Sequence, residues 1–195
     1  IHKLWVGRDL NENWDVKIGK SQVPFGWKTV NFWPGDMLQG GYGDQMDVGA
    51  KFTGQLSGLD ISVAYFHQDD WGETSTDTVD DNGHWGSFKG VPATYRKIKT
   101  GVADVSYTFE QEGSASSTFG LSAQTGILQD IEDLGNKCDT TTCSTNDDGS
   151  HSAFAAYFEG SYGSVTTKAE VIRVKRDIPD AGVQADIENT RYALQ

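Results

Sequence analysis

The connections between the strand-like segments of this chain alternate strictly between short and long, which constrains the fold more than any other feature. Period-two alternation of apolar and polar residues predicts nine strands, over about 2–9, 14–21, 46–54, 59–68, 97–109, 118–129, 151–160, 165–176 and 187–195. In the third strand Met46, Val48, Ala50 and Phe52 share one face, and Asp47, Gly49, Lys51 and Thr53 share the other. In the fourth, Leu59, Ile61, Val63 and Tyr65 oppose Asp60, Ser62 and Ala64. Short turns fall at about 10–13, 55–58, 110–117 and 161–164, and long excursions at about 22–45, 69–96, 130–150 and 177–186. In an antiparallel meander, successive connections lie at opposite ends of the sheet. Every short turn therefore falls at one end and every long loop at the other. Outer-membrane barrels have this layout, with short periplasmic turns and longer outside loops. A β-sandwich has no physical reason to sort its connections this way. The expected fold is an all-β, antiparallel, up-and-down transmembrane β-barrel.

The rest of the composition bounds what such a chain can do. Residues 1–195 read as a single domain, rich in glycine and poor in proline. With no starting Met and no leader at Ile1, the chain is expected to be mature, trimmed or a fragment of a longer protein. No run of about 18 apolar residues is present, so no transmembrane helix is expected. The net charge of −12 argues against nucleic acid as a partner. That charge is concentrated: the loops at 69–96, 130–150 and 177–186 hold 15 of the 28 acids and only the bases Lys89, Arg96 and Lys137. The remaining 13 acids and 13 bases balance, so acidity belongs to one end of the sheet. Solvation of long loops explains this as well as a specific role does. Trp14, Phe52, Phe109, Phe119 and Tyr162 all lie within a few residues of a short turn, where a barrel would place an interfacial aromatic belt.

Two cysteines, Cys138 and Cys143, sit five apart in the polar stretch Asn136–Ser144. None of His2, His67, His84 and His151 stands at a spacing that would complete a metal site with them. A small disulfide-closed loop in an oxidising compartment is the expected arrangement. No nucleophile elbow or metal-binding His pair is present, so neither an enzyme nor a cofactor is expected. The stretches Asp80–His84 and Asn146–Ser150 resemble pieces of calcium loops. Both lack the bidentate Glu, which leaves turn chemistry as their account.

The segment 17–27, Lys-Ile-Gly-Lys-Ser-Gln-Val-Pro-Phe-Gly-Trp, resembles a strand-end stretch, Gly-x-x-x-x-Pro-Phe-Gly, of the family named after the phosphate-selective porins O and P. Gly19, Pro24, Phe25 and Gly26 carry the resemblance, and the run Met46–Gly54 is similar in style. Pro24 removes a ladder donor and so ends the strand, after which Gly26 lets the chain turn away from the wall. The resemblance implies a 16-stranded, usually homotrimeric barrel about twice this long, of which nine strands are roughly half. The namesakes line their pore with arginine and lysine. Here the candidates for the inward face are Asp15, Lys17, Asp47, Lys51, Asp60, Asp104, Glu159, Lys168, Glu170 and Arg191, a mixed set of six acids and four bases.

The function these readings point to is an outer-membrane porin, a water-filled channel for passive diffusion of small polar solutes and ions. Its partners would be outer-membrane lipid and lipopolysaccharide, and further copies of itself. The aromatic loop with Trp27, Phe32 and Trp33 could narrow the barrel mouth, stack on sugars or bury against a neighbouring subunit, and the sequence leaves these open. Two other classes compete. A secreted carbohydrate-binding β-sandwich would use Trp27, Trp33, Trp71 and Trp85, and an outer-membrane adhesin or receptor would use the acidic loops.

Overall fold

In the computed structural model, residues 3–26, 46–68, 95–111, 115–130, 149–177 and 187–194 are described. They form one nine-stranded antiparallel sheet in simple sequence order, with neighbouring strands paired throughout. The strands are β1 (Leu4–Asn11), β2 (Trp14–Gln22), β3 (Met46–Leu56), β4 (Leu59–Gln68), β5 (Tyr95–Gln111), β6 (Ala115–Asp130), β7 (Gly149–Tyr162), β8 (Val165–Asp177) and β9 (Ile187–Leu194). The sheet is open, with β1 and β9 at its edges. β5 and β6 run longer than their apolar alternation indicated. The ladder continues through the polar pairs Glu110–Ser116 and Gln111–Ala115, so only 112–114 separate the two strands. Polar residues at a strand end look like a turn in sequence, yet they suit a ladder that has left the lipid.

Residues directly opposite one another in a ladder share a face, so the registers sort every side chain. Val48, Phe52, Ile61, Val63, Val105, Leu121 and Val171 all fall on one face, and all ten candidate inward residues fall on the other. Val63 and Leu121 are 48% and 50% exposed despite being apolar. The sandwich reading required a second sheet against them, and the described residues form only one. Burial by a second apolar layer would have been worth about 1.5–3 kcal/mol per side chain, so leaving this face bare makes sense only where lipid covers it.

The outward face also records the strand tilt. Along β2 it presents Trp14, Val16 and Ile18 before Lys20, and along β8 Val165, Thr167, Ala169 and Val171 before Arg173. The ladder row through Ile18 continues as Ala50, Tyr65, Gly101, Thr125, Ser152, Lys175 and Glu188. It begins in the apolar band and ends among charges. Such a row crosses the membrane boundary obliquely, as it must when strands lean by roughly 35–45°. At the short-turn end, Tyr107, Phe109, Phe119 and Phe158 make successive ring contacts at 4.5, 6.0 and 4.8 Å across β5, β6 and β7. This is the aromatic girdle of a half-wet interface.

Candidate functional site

The chain leaves the wall at the end of β2. Pro24 has no N–H to continue the ladder, and the Phe25 N–H closes back on the Val23 carbonyl at 3.0 Å, a three-residue turn centred on Pro24. Gly26 then takes a φ of 60°, which glycine adopts without the steric cost a Cβ would bring. This swings the segment over the inner face of the sheet. The Gly26 N–H donates to Ser122 Oγ on β6 at 2.8 Å, and a Cβ on Gly26 would overlap the Glu170 carboxylate on β8. In a flat sheet β2 and β8 would stand about 29 Å apart, whereas four residues span at most about 14 Å. No glutamate side chain bridges that difference. The sheet is therefore curled around the segment, with the charge-bearing face concave.

Two further contacts hold the segment. Lys51 Nζ donates to the Gln22 carbonyl at 2.8 Å, fixing the point of departure. Ser122 Oγ, while accepting from Gly26, donates to Asp104 Oδ2 at 2.6 Å, and Tyr157 OH donates to the same oxygen at 3.1 Å. Asp104 is 2% exposed, so these donors replace the water that a buried carboxylate would otherwise lack. Tyr157 reaches it by lying across Gly120, where a Cβ would collide with the ring.

The inner face has two halves. Near the short turns it is polar and half-exposed. Lys17 pairs with Asp15 at 3.5 Å, Lys168 pairs with Glu159 at 3.1 Å, and Asp60 accepts from Gln55 Nε2 at 2.7 Å. Toward the loop end it is dry. Ala64, Phe66, Val102, Ala153, Ala155, Ile172 and Val174 form one buried cluster with Val23 and Phe25. Asp47, Asp104 and Glu170 face inward but are buried, and Arg191 lies on the inner row opposite Ile172. Of the four histidines, His151 is buried and meets Thr100 Oγ1 at 3.1 Å. Trp27, Phe32, Trp33, Trp71, Trp85, Cys138 and Cys143 lie outside the described residues.

The dry half of the inner face is not evident from its charged residues alone. A signal was present in β8, where Ile172 and Val174 continue the parity of Lys168 and Glu170, while Arg173 and Lys175 continue that of Val171. The polarity of the two faces inverts there, which marks the level at which outside becomes water and inside becomes core.

A single tilted, concave meander with an apolar outer band, an aromatic girdle and a charged inner face is the wall of an outer-membrane β-barrel. The chain matches the family of phosphate-selective porins O and P over residues 1–193, and it belongs to that family. Its place is accordingly the bacterial outer membrane, and its general role is that of a porin, a channel family and not an enzyme family. No curated protein and no solved structure matches the chain.

Proposed function

We propose that this chain forms one side of a water-filled channel for passive diffusion of small polar solutes and ions, narrowed by the segment 23–26. The observation that carries this reading is the hydrogen bond from the Gly26 N–H to Ser122, which holds main chain from β2 over the inner surface of β6 and β8. An edge strand in lipid leaves unpaired donors and acceptors at a cost of several kcal/mol each, so β1 and β9 are to be paired within a larger closed barrel. Homotrimer formation and contact with lipopolysaccharide belong to the same proposal.

On this reading Asp15, Lys17, Lys51, Asp60, Glu159 and Lys168 border the water column, while Asp104 and Glu170 act through the segment beside them. Mixed charge on the wall does not supply the row of cations that would replace the hydration shell of phosphate. The acidic loops add negative charge at the outer mouth. The channel is therefore weakly cation-preferring or non-selective, and the preference fades as salt shortens the Debye length from about 30 Å at 0.01 M to about 3 Å at 1 M. Reversal potentials of the full-length protein in a salt gradient test this. A small cation preference at low salt is expected, and clear anion preference or block of the current by phosphate would overturn it.

A further inference from the structure

Trp5 stands on the charge-bearing face of the sheet, and the channel reading does not use it. The β1–β2 register sets Trp5 opposite Gly19, Gly7 opposite Lys17 and Asp9 opposite Asp15, so all six share the inner face. The indole lies down over Gly7, where a Cβ would fall 2.8 Å from the ring. Trp5 is 45% exposed, which turns a large apolar surface to the water column. Lys17 Nζ lies over that ring, 5.1 Å from its centroid, and 3.5 Å from Asp15 Oδ1. The face of an indole is electronegative and attracts a cation, and the carboxylate attracts the same cation. The lysine ammonium therefore marks a position that a primary ammonium group fits. Its hold is loose, since the Lys17 and Asp15 side chains are each 32% exposed and their pair is longer than a hydrogen bond. Asp9 faces Asp15 directly and makes no ion pair among the described residues, so two like charges share one ammonium. A Lys17 displaced from the ring has Asp9 diagonally across the ladder. Lys51, opposite Lys17 on β3, is engaged by the Gln22 carbonyl instead.

We propose that Trp5 and Asp15 form a lumen subsite for solutes bearing a primary alkylammonium group, which exchange with the Lys17 ammonium on the indole face. Exchange of like for like selects this class. An incoming ammonium keeps both contacts that Lys17 makes. A neutral sugar stacked on the ring would leave Asp15 without a cation, and an anion would meet two carboxylates. Because Lys17 is tethered, it holds the place at an effective concentration on the order of millimolar, so a solute binds weakly and leaves quickly, as conduction requires. This subsite rests on the channel reading, since only a wetted face admits a solute.

The test uses the full-length protein in detergent, with binding read by saturation-transfer NMR, which needs no current. The probe is n-butylammonium, the lysine side chain set free, with 1-butanol as its neutral counterpart and maltotriose as a sugar. Trp5→Leu removes the indole, Lys17→Gln removes the tethered competitor, and the folded band on unboiled gels controls for folding. The wild type should bind n-butylammonium in preference to the other two probes, and Trp5→Leu should lose that preference. Lys17→Gln should bind it about ten-fold more tightly, because the tethered ammonium no longer competes. That gain should vanish in the Trp5→Leu background, which separates release of the ring from loss of a nearby positive charge. Equal binding of 1-butanol by the wild type, an unchanged affinity in Trp5→Leu, or a gain from Lys17→Gln that persists without the indole would overturn the proposal. So would Trp5-dependent binding of maltotriose above n-butylammonium, which would assign the ring to a sugar. The expected binding by a protein that gives no current steps in planar bilayers would contradict the channel reading and leave the subsite standing.

Discussion

Ser122 donates to Asp104 at 2.6 Å and accepts the Gly26 N–H at 2.8 Å, so one hydroxyl joins a buried carboxylate of the wall to the main chain that crosses it. Neither half of that arrangement is stable alone. The carboxylate needs donors because it is cut off from water, and the Gly26 N–H needs an acceptor for the same reason. Ser122→Ala is expected to destabilise the protein by about 1–3 kcal/mol, the cost of leaving a buried polar group unmet. Urea unfolding in lipid vesicles measures it, and a cost near zero would mean that water reaches both groups.

Gly120 and Tyr157 should be coupled. Any side chain at Gly120 meets the Tyr157 ring and pushes its hydroxyl off Asp104. Gly120→Ala is expected to cost about 1–3 kcal/mol through overpacking. In a Tyr157→Ala background the same substitution should cost almost nothing, giving a large interaction energy in the double-mutant cycle. Additive costs would show that the ring does not depend on the glycine.

The outward face predicts a depth-dependent pattern. Val63→Arg, in the middle of the apolar band, should cost about 2–4 kcal/mol, because a charge enters hydrocarbon. Ser150→Arg, outward and opposite Asp177 beyond the charged edge of β8, should cost about 0–1 kcal/mol. Refolding titrations into vesicles compare the two. Equal costs would contradict the placement of the membrane boundary between Val171 and Arg173.

Much of this is legible in the amino-acid sequence. Alternation around Val48, Phe52, Ile61 and Val63 yields the faces, and the sorting of short and long connections yields the meander, because both are properties of the period of a strand and of antiparallel order. The Pro-Phe-Gly stretch at 24–26 marked where the chain leaves the wall. Its destination was not legible. Nothing local ties Gly26 to Ser122, which stands 96 residues away, and only the curl of the whole sheet brings them together. The dry half of the inner face was hidden for a related reason. Ala64, Ala153 and Val174 have the parity of the inward residues, and their place in a dry core shows only in the one buried cluster they form with Phe25.

Charge on the inner face should set the ion preference. Asp15 and Asp60 both line a polar cavity of about 380 Å³ at the short-turn end. Replacing both by lysine should shift the reversal potential toward anions, more strongly at low salt, since screening weakens the field at high salt. No shift at low salt would remove these two carboxylates from the conduction path.

Cys138 and Cys143 are expected to be oxidised to each other. Five residues apart, they close a small loop, so the bond adds little stability and its reduction should leave the folded band on unboiled gels intact. Thiol titration of the denatured, unreduced protein checks the pairing. Two free thiols would contradict it.

The most direct test of a lumen narrowed by the segment 23–26 is single-channel conductance of the full-length protein in planar bilayers, comparing the wild type with Ser122→Ala. The wild type should give discrete current steps that grow with salt concentration. Ser122→Ala, with the Gly26 N–H released from β6, should give larger and noisier steps while still running as a folded barrel. Absence of steps from the wild type, or an identical conductance in the folded Ser122→Ala protein, would contradict the account.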